Sequence, residues 1–413
     1  MAAPRGRTQE GRRGSGGSEQ SIGIAAPVAG QAAGFTVARK GRDLQFMNVL
    51  VLGGGGFIGS HLVDGLLRRG GYDVVAYDLY REKLEESIGH ERLRYVAGDI
   101  RSDHERVERL VAESDLVIDL IAHANPSLYV SNPLDVVRLN FDENLKVVEY
   151  CVEHGRRLIQ FSTCEVYGKT VAPLIGPEAV VSEEDAARYA VFSEDTSHLI
   201  LGPVGKHRWI YSCAKQLLER LVHAYGLEDR LDYTIIRPFN FIGPRIDYLP
   251  SEQDGNPRVF SHFLQALKDG TRMKLVDGGG QRRAYTLIDD AIECIARIVG
   301  RPDACRREIF NIGSPDNELS IRELAARMIE IYRRRWWDGV GRLPTTETVS
   351  GDAFYGEGYD DSDRRIPDIT KARTLLGWEP RFGIDEVLER SMAYWFEEPL
   401  ERGLVEKPVL TGA

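Results

Sequence analysis

Short apolar runs alternate with helical periods along most of the chain, the pattern of a parallel sheet covered on both faces by helices. The first run, Asn48-Val49-Leu50-Val51-Leu52, enters Gly53-Gly54-Gly55-Gly56-Phe57-Ile58-Gly59 and continues as a helical pattern from Ser60 to Arg69. A second strand, Val74 to Tyr77, ends at Asp78, and Arg94 to Ile100 predicts a third. Leu116 to Ala122 is apolar almost throughout, as a strand buried on both faces should be. Asn140 to His154 has the period of an amphipathic helix and leads into a strand from Arg157 to Phe161. Tyr233 to Arg237 reads as the next strand and Pro238 to Arg245 as a loop. Beyond about Leu249 shorter strands and helices alternate, and Leu375 to Trp395 closes the pattern with a turn and an amphipathic helix. The class is α/β.

Composition narrows the field. The chain has 413 residues, 42% of them hydrophobic, enough for one large or two intimate domains. A net charge of −10 argues against nucleic acid as a partner while leaving room for a local basic pocket. Cys151, Cys164, Cys213, Cys294 and Cys305 show no C-x-x-C spacing. They read as reduced thiols of a cytoplasmic protein, with no disulfide framework and no metal site. No apolar run approaches the roughly 20 residues that span a bilayer, so no membrane partner is expected. Met1 to Gln45 is rich in Gly, Ala, Arg and Ser and reads as a disordered tail.

The glycine turn sits between a strand and a helix, where close-approaching backbone N–H groups can receive a pyrophosphate. Gly53, Gly56 and Gly59 space it as G-x-x-G-x-x-G, with Phe57 and Ile58 opening the helix. Asp78 lies about 20 residues on, where an acid binds a ribose hydroxyl and repels a 2′-phosphate, so NAD is favoured over NADP. Asp99 and Ile100 would flank the adenine, and Ala122 ends the fourth strand beside the loop His123-Ala124-Asn125-Pro126. The expected fold is thus a Rossmann-type doubly wound parallel sheet with a smaller C-terminal α/β substrate lobe. Residues 1–46 form the tail, 47–240 mainly the NAD-binding domain, 241–400 mainly the substrate lobe with segments interleaved, and 401–413 a second tail.

Tyr211 and Lys215 lie four residues apart, so on a helix they share a face, and the ammonium can hold the phenol near ionisation as a base. The Thr163 hydroxyl suits the oxygen that Tyr211 deprotonates, and the adjacent Cys164 and Glu165 offer a further proton transfer. Arg208, three residues before Tyr211, either faces the site or is solvated. Lys169 to Pro203 reads as an irregular region near the substrate. Lys274, Arg282 and Arg283 are the basic elements of the second lobe, where guanidinium forks suit a diphosphate. Phe354 to Asp368 is polar and aromatic without a period, a lid or a connection.

Taken in order, the glycine turn, Thr163 with Tyr211-x-x-x-Lys215, and Arg237-Pro238-Phe239-Asn240 before Gly243-Pro244-Arg245 resemble the extended short-chain dehydrogenases that act on nucleotide sugars. Phe161 to Thr170, Arg208-Trp209, Tyr211 to Gln216 and Tyr355 to Asp368 are similar, nearly residue for residue, to the UDP-apiose/UDP-xylose synthase group. The resemblance implies NAD-dependent conversion of UDP-glucuronate to UDP-pentoses in a homodimer built on the long helices. It implies that Tyr211 takes the proton of the sugar 4-hydroxyl, that Arg208 neutralises the substrate acid, and that Glu165 and Arg365 attend the decarboxylation. Cys164, Glu165 and Asp361 would serve ring opening, and Asn240, Arg258, Lys274, Arg283 and Tyr359 would bind the UDP-sugar. Ala124 departs from that group, which has a second cysteine there and so puts the product ratio in question. Two other readings stay open: a decarboxylase giving only UDP-xylose or UDP-4-keto-pentose, and an NAD-binding regulator without catalysis, since a fold does not specify a chemistry.

Overall fold

The computed structural model describes residues 46–170, 182, 189–251, 257–357 and 359–397. Both tails and much of the irregular stretch expected between Lys169 and Pro203 lie outside the described residues.

Seven parallel strands form the central sheet. They are β1 (Met47–Leu52), β2 (Tyr72–Asp78), β3 (Leu93–Ala97), β4 (Leu116–Asp119), β5 (Arg157–Phe161), β6 (Tyr233–Pro238) and the later strand Glu308–Ile312. Their spatial order is Glu308–Ile312, β6, β5, β4, β1, β2, β3. Val49 pairs with Val74 on one side and with Leu116 on the other, so β1 is central and the strand order reverses there. Ligands of open α/β sheets sit outside the carboxyl ends of the strands at such a switch point.

The two faces of the sheet divide the apolar residues by the two-residue period. Val49 and Val51 join Leu62, Leu66, Ile118, Ile292 and Ile295 in one core; Leu50 and Leu52 join Val117, Leu158, Leu218 and Val222 in the other. Burial on both faces explains the near-continuous apolar runs. Strand Glu308–Ile312 completes the sheet from the C-terminal half of the chain, so that half is interleaved with the first.

Three expected elements end sooner or change type. The third strand stops at Ala97, which leaves Gly98, Asp99 and Ile100 as the loop beyond it. The fourth stops at Asp119, whose buried carboxylate accepts from Ile121 N–H at 3.1 Å and from Gln160 at 3.0 Å. The helix expected from Asn140 begins as a π-helical turn, Arg138–Glu143, and becomes α-helical only from Asn144 to Glu153. Within the loop expected from Pro238 to Arg245, Phe241–Ile242 pairs in parallel with Thr286–Leu287 as a two-stranded ribbon. No helix among the described residues is long and apolar enough to cross a membrane.

Candidate active site

The loops at the carboxyl edge of the sheet line two cavities. One, of about 250 Å³, is bordered by Gly53, Gly56, Asp78, Asp99, Ile100, Ala122 and His123. Its floor is the glycine turn, which no larger residues could build. A Cβ on Gly55 would stand 1.9 Å from the Tyr80 carbonyl oxygen, and one on Gly59 would stand 2.1 Å from that of Gly53. Gly56 caps the helix Phe57–Arg69 without any side-chain hydrogen bond, and no acid lies in the first turn. Its leading N–H groups and the positive end of its dipole are therefore left for an anion.

Asp78 closes β2 and accepts from Gly55 N–H at 3.0 Å and Tyr80 N–H at 3.1 Å, so it braces the turn as well as facing the cavity. Asp99 is engaged by Arg101 at 2.7 Å, whose hydrogen bond holds it below the usual carboxylate range. The Phe57 ring is buried, 5.6 Å beneath the Arg258 guanidinium, Ile58 is half-buried, and neither borders this cavity. His123 contacts Asp135 at 3.0 Å. A glycine cradle, an uncapped helix N-terminus and an acid at the end of β2 fit NAD.

The second cavity, of about 330 Å³, is lined by Ala124, Glu165, Arg208, Asn240, Arg258, Lys274, Arg283, Tyr359, Asp361 and Arg365 among others. Strand β5 delivers the reactive turn. The Thr163 hydroxyl accepts from Glu165 N–H at 3.1 Å and caps the short helix Cys164–Tyr167. From the other side comes the helix Ile210–Leu227, with Tyr211 and Lys215 both buried on one face. Tyr211 is hydrogen-bonded to Thr163 and stacks on Tyr129, ring centroids 4.6 Å apart.

Burial, aided by the Glu165 charge, pushes the Tyr211 phenol above its ordinary value, against the pull of Thr163 and Arg208. Lys215 donates instead to Asn144 Oδ1 at 3.0 Å and to the Phe161 carbonyl at 3.1 Å, and burial lowers its own pKa to about 8. Asn144 is aimed there by the π-helical turn before it, the kind of insertion that recurs at functional sites.

Around Glu165 five charged side chains interlock. Arg208 grips both carboxylate oxygens, at 2.6 and 2.9 Å, and Arg365 adds a bond at 3.2 Å. Asp361 accepts from Arg365 and Arg283, each at 2.7 Å, and lies 3.3 Å from Arg208. All three guanidiniums are buried. Burial alone would raise both acids, but the guanidiniums outweigh it: Glu165 is held below its ordinary value, and Asp361 far below. Three cations against two anions leave one positive charge in a buried site, a seat for one further anion. Cys164 packs among Val166, Tyr167, Phe192 and Phe239, and burial raises its thiol despite Arg365.

Among the other residues at this cavity, Tyr359 donates to Asp361 at 3.0 Å and stacks on Tyr355 at 4.2 Å. Arg258 forms a bidentate pair with Asp247 at 2.7 and 2.9 Å. Lys274 lies 5.8 Å over the Phe354 ring, and Asn240, in the left-handed region at φ 41°, donates to the Ala284 carbonyl. Arg282 does not join them; its neighbour Arg283 points inward, whereas Arg282 pairs with Glu318 at 3.1 Å and Glu323 at 3.0 Å. The two-residue period of the strand Arg282–Ala284 separates them.

The sequence pattern did not single out Tyr129, Asn144 or Glu219, and it marked Arg237 only as part of the Arg237-Pro238-Phe239-Asn240 motif, without a role. Arg237 pairs with Glu219 at 2.6 Å, two turns beyond Tyr211, and donates to Tyr167 at 2.8 Å, so it ties the catalytic helix to the reactive turn. A lone guanidinium ending an apolar strand is the signal that marks it, since buried arginine needs a partner.

The chain matches the model of the NAD dependent epimerase/dehydratase family over residues 49–313. It is 42% identical to UDP-D-apiose/UDP-D-xylose synthase 1 of Arabidopsis thaliana, over 86% of this chain and 92% of that one. To the UDP-D-apiose/UDP-D-xylose synthase of Oryza sativa subsp. japonica it is 40% identical, over 89% and 93%. Among solved structures it is similar to the PbgP3 protein of Burkholderia pseudomallei, with a TM-score of 0.72, 35% identity, and coverage of 85% and 97%. UDP-glucuronic acid 4-epimerase from Bacillus cereus, crystallised with UDP-glucuronic acid and NAD, has a TM-score of 0.66 at 23% identity over 84% and 98%, and shows the fold alone.

Proposed function

Since the chain belongs to the NAD dependent epimerase/dehydratase family, and within it to the relatives named UDP-D-apiose/UDP-D-xylose synthase, we propose that it converts UDP-glucuronate to UDP-apiose with UDP-xylose as co-product. The observation that carries this reading is the single surplus positive charge of the Arg208, Arg283, Arg365, Glu165 and Asp361 cluster beside Tyr211. A uronic acid carboxylate matches it, and a neutral hexose does not.

NAD, its cofactor, would be held by the glycine turn, the helix N-terminus and Asp78, and when bound accepts a hydride from the sugar and later returns it. Tyr211, steadied by Thr163, would take the proton of the 4-hydroxyl once the positive charge of bound NAD⁺, beside the Lys215 ammonium, offsets the burial that raises its phenol. The resulting ketone lies β to the carboxylate, which leaves as CO₂, and Arg208 and Arg365 neutralise the enolate that remains. Protonation and re-reduction give the linear pentose. Retro-aldol opening and re-closure before reduction give the branched one, and Cys164, Glu165 and Asp361 are the acid–base groups at hand. The protein acts in the cytoplasm as a homodimer. Support for the dimer comes from the exposed Leu217 and Leu227 on the helix that carries Tyr211.

Proton NMR of purified protein with UDP-glucuronate and catalytic NAD tests the reading. UDP-apiose, or the cyclic apiose phosphate it decays to, is the expected signal. UDP-xylose or the 4-keto-pentose alone would leave a simple decarboxylase, and the product ratio measures what Ala124 at the cavity wall changes.

A further inference from the structure

The segment 359–361 borders the cavity through Tyr359 and Asp361 and alternates in what it touches. The Asp361 carboxylate points inward to Arg208, Arg283 and Arg365. Asp360 points the other way. One of its oxygens accepts from Trp209 Nε1 at 2.9 Å, and its carboxylate also receives Lys169 Nζ, 2.7 Å away at the closer oxygen. Lys206 Nζ adds a bond to the Tyr359 carbonyl at 3.2 Å.

The partners matter because of where they sit. Lys169 follows the reactive turn Cys164–Tyr167 by two residues, and Trp209 is the N-cap of the helix that carries Tyr211. Trp209 is buried, and its ring lies 5.2 Å from the Arg208 guanidinium. Backbone and ring crowd the same spot: a Cβ on Gly202 would stand 2.5 Å from Trp209 Nε1 and 2.7 Å from Asp360 Oδ2. Asp360 therefore joins three segments, the reactive turn, the start of the catalytic helix and the strand of chain bearing Asp361, at one carboxylate.

We propose that Asp360 is a positioning residue that holds this strap closed on the site, so that the decarboxylated keto-pentose is retained until it is reduced; the retention part rests on the function proposed above. Asp360 is not among the residues that line the cavity, whereas Tyr359 and Asp361 are. It acts through Asp361, whose placement sets how the three guanidiniums share their charge between Glu165 and the substrate.

The test compares the parent protein with Asp360→Ala and Asp360→Asn, the latter keeping an acceptor for Trp209 while losing the charge that attracts Lys169. With UDP-glucuronate, the Ala variant is expected to release about tenfold more free 4-keto-pentose per UDP-pentose formed, with an equal amount of NADH left on the protein, a smaller effect than the roughly 10²-fold that a 1 Å misplacement can cost. The Asn variant should fall between Ala and parent, and KM should rise while the amount of NAD bound stays the same. An unchanged ratio of keto-pentose to UDP-pentose in both variants would overturn the proposal. Amide hydrogen exchange over residues 354–368 decides it without turnover: faster exchange in the Ala variant upholds the strap, and parent-like exchange overturns it. If the parent fails to turn over UDP-glucuronate, the functional reading falls, and exchange still decides whether Asp360 closes the strap.

Discussion

Replacing Glu165 by glutamine keeps its shape and removes the charge that two guanidiniums grip. The side chain is 13% exposed, and Arg208 and Arg365 are 2% and 3% exposed, so water can do little to compensate. Breaking a buried pair from one side costs about 3–5 kcal/mol; the amide oxygen still accepts one bond, which puts this change near 3 kcal/mol. At roughly 2 °C per kcal/mol for a body of this size, the melting midpoint should fall by about 6 °C at pH 7. The sign with pH follows from the depressed folded-state pKa of Glu165. Its stabilisation is present above the ordinary value of 4.5 and is lost as pH falls toward the folded value, so parent and variant should converge in acid. Kinetics give a separate reading. The cluster would then hold three cations against one anion, so the substrate acid should bind more tightly and KM should fall, while kcat drops by about 10²-fold for want of the proton-transfer group. Because the Glu165 charge also raises the Tyr211 phenol, the limb of kcat/KM that rises with pH should move to lower pH. Differential scanning calorimetry and a pH–rate profile measure all three. An unchanged melting midpoint together with an unmoved limb would refute the cluster as the origin of both effects.

Gly55→Ala should abolish NAD retention, because its Cβ would meet the Tyr80 carbonyl at 1.9 Å; the nucleotide released on denaturing the purified protein measures this, and parent-like content would show that the turn has another route. Lys215→Met tests the buried ammonium. Its folded pKa of about 8 lies below the ordinary 10.5, so it destabilises the parent below about pH 8 and is relieved as pH rises to 10.5. The stability of the parent relative to the variant should therefore climb across that window in urea titrations, and a flat difference would contradict the burial argument. Cys164→Ala should leave CO₂ release within a few-fold of the parent but cut the share of UDP-apiose by about 10² or more, as loss of a general acid does, with product NMR as the readout.

Most of the sheet and the cofactor end of the site were legible because both rest on local rules. Apolar runs buried on two faces have the composition of parallel strands, and a glycine turn between strand and helix needs no distant partner to be recognised. The charged cluster was legible only as separate residues. Arg208, Glu165 and Asp361 are far apart in the chain, and a lone Arg208 reads equally well as solvated until the fold brings it to Glu165. The π-helical turn at Arg138–Glu143 was hidden because its side-chain period differs little from that of an α-helix over one turn. Asn140 and Asn144 are nonetheless polar residues on its buried side, each bonded to the strand-end loop at His123 or Ile121. Spacing places Lys215 on the same face of the helix as Tyr211 but says nothing of burial, which raises the phenol, or of Asn144 and the Phe161 carbonyl, which accept from the ammonium.

The same cluster can serve every step without moving. UDP-glucuronate brings one negative carboxylate to a site with one unmatched positive charge, and loss of CO₂ transfers that charge to an enolate a few atoms away. The charge count is the same before and after, so the guanidiniums need only be fixed where both positions are in reach, and a preorganised site spends nothing on reorientation at the moment of reaction. What decides the branch is then proton supply rather than charge. Glu165 and Asp361 are held ionised by their guanidiniums and so must accept a proton before they can return one, whereas the buried Cys164 thiol is kept protonated and can give one directly. Ala124 lines the cavity and offers no proton, whereas Cys164 adjoins the lining Glu165 in sequence and is held protonated by burial, so the Cys164→Ala product ratio tests whether the partition between linear and branched pentose rests on it.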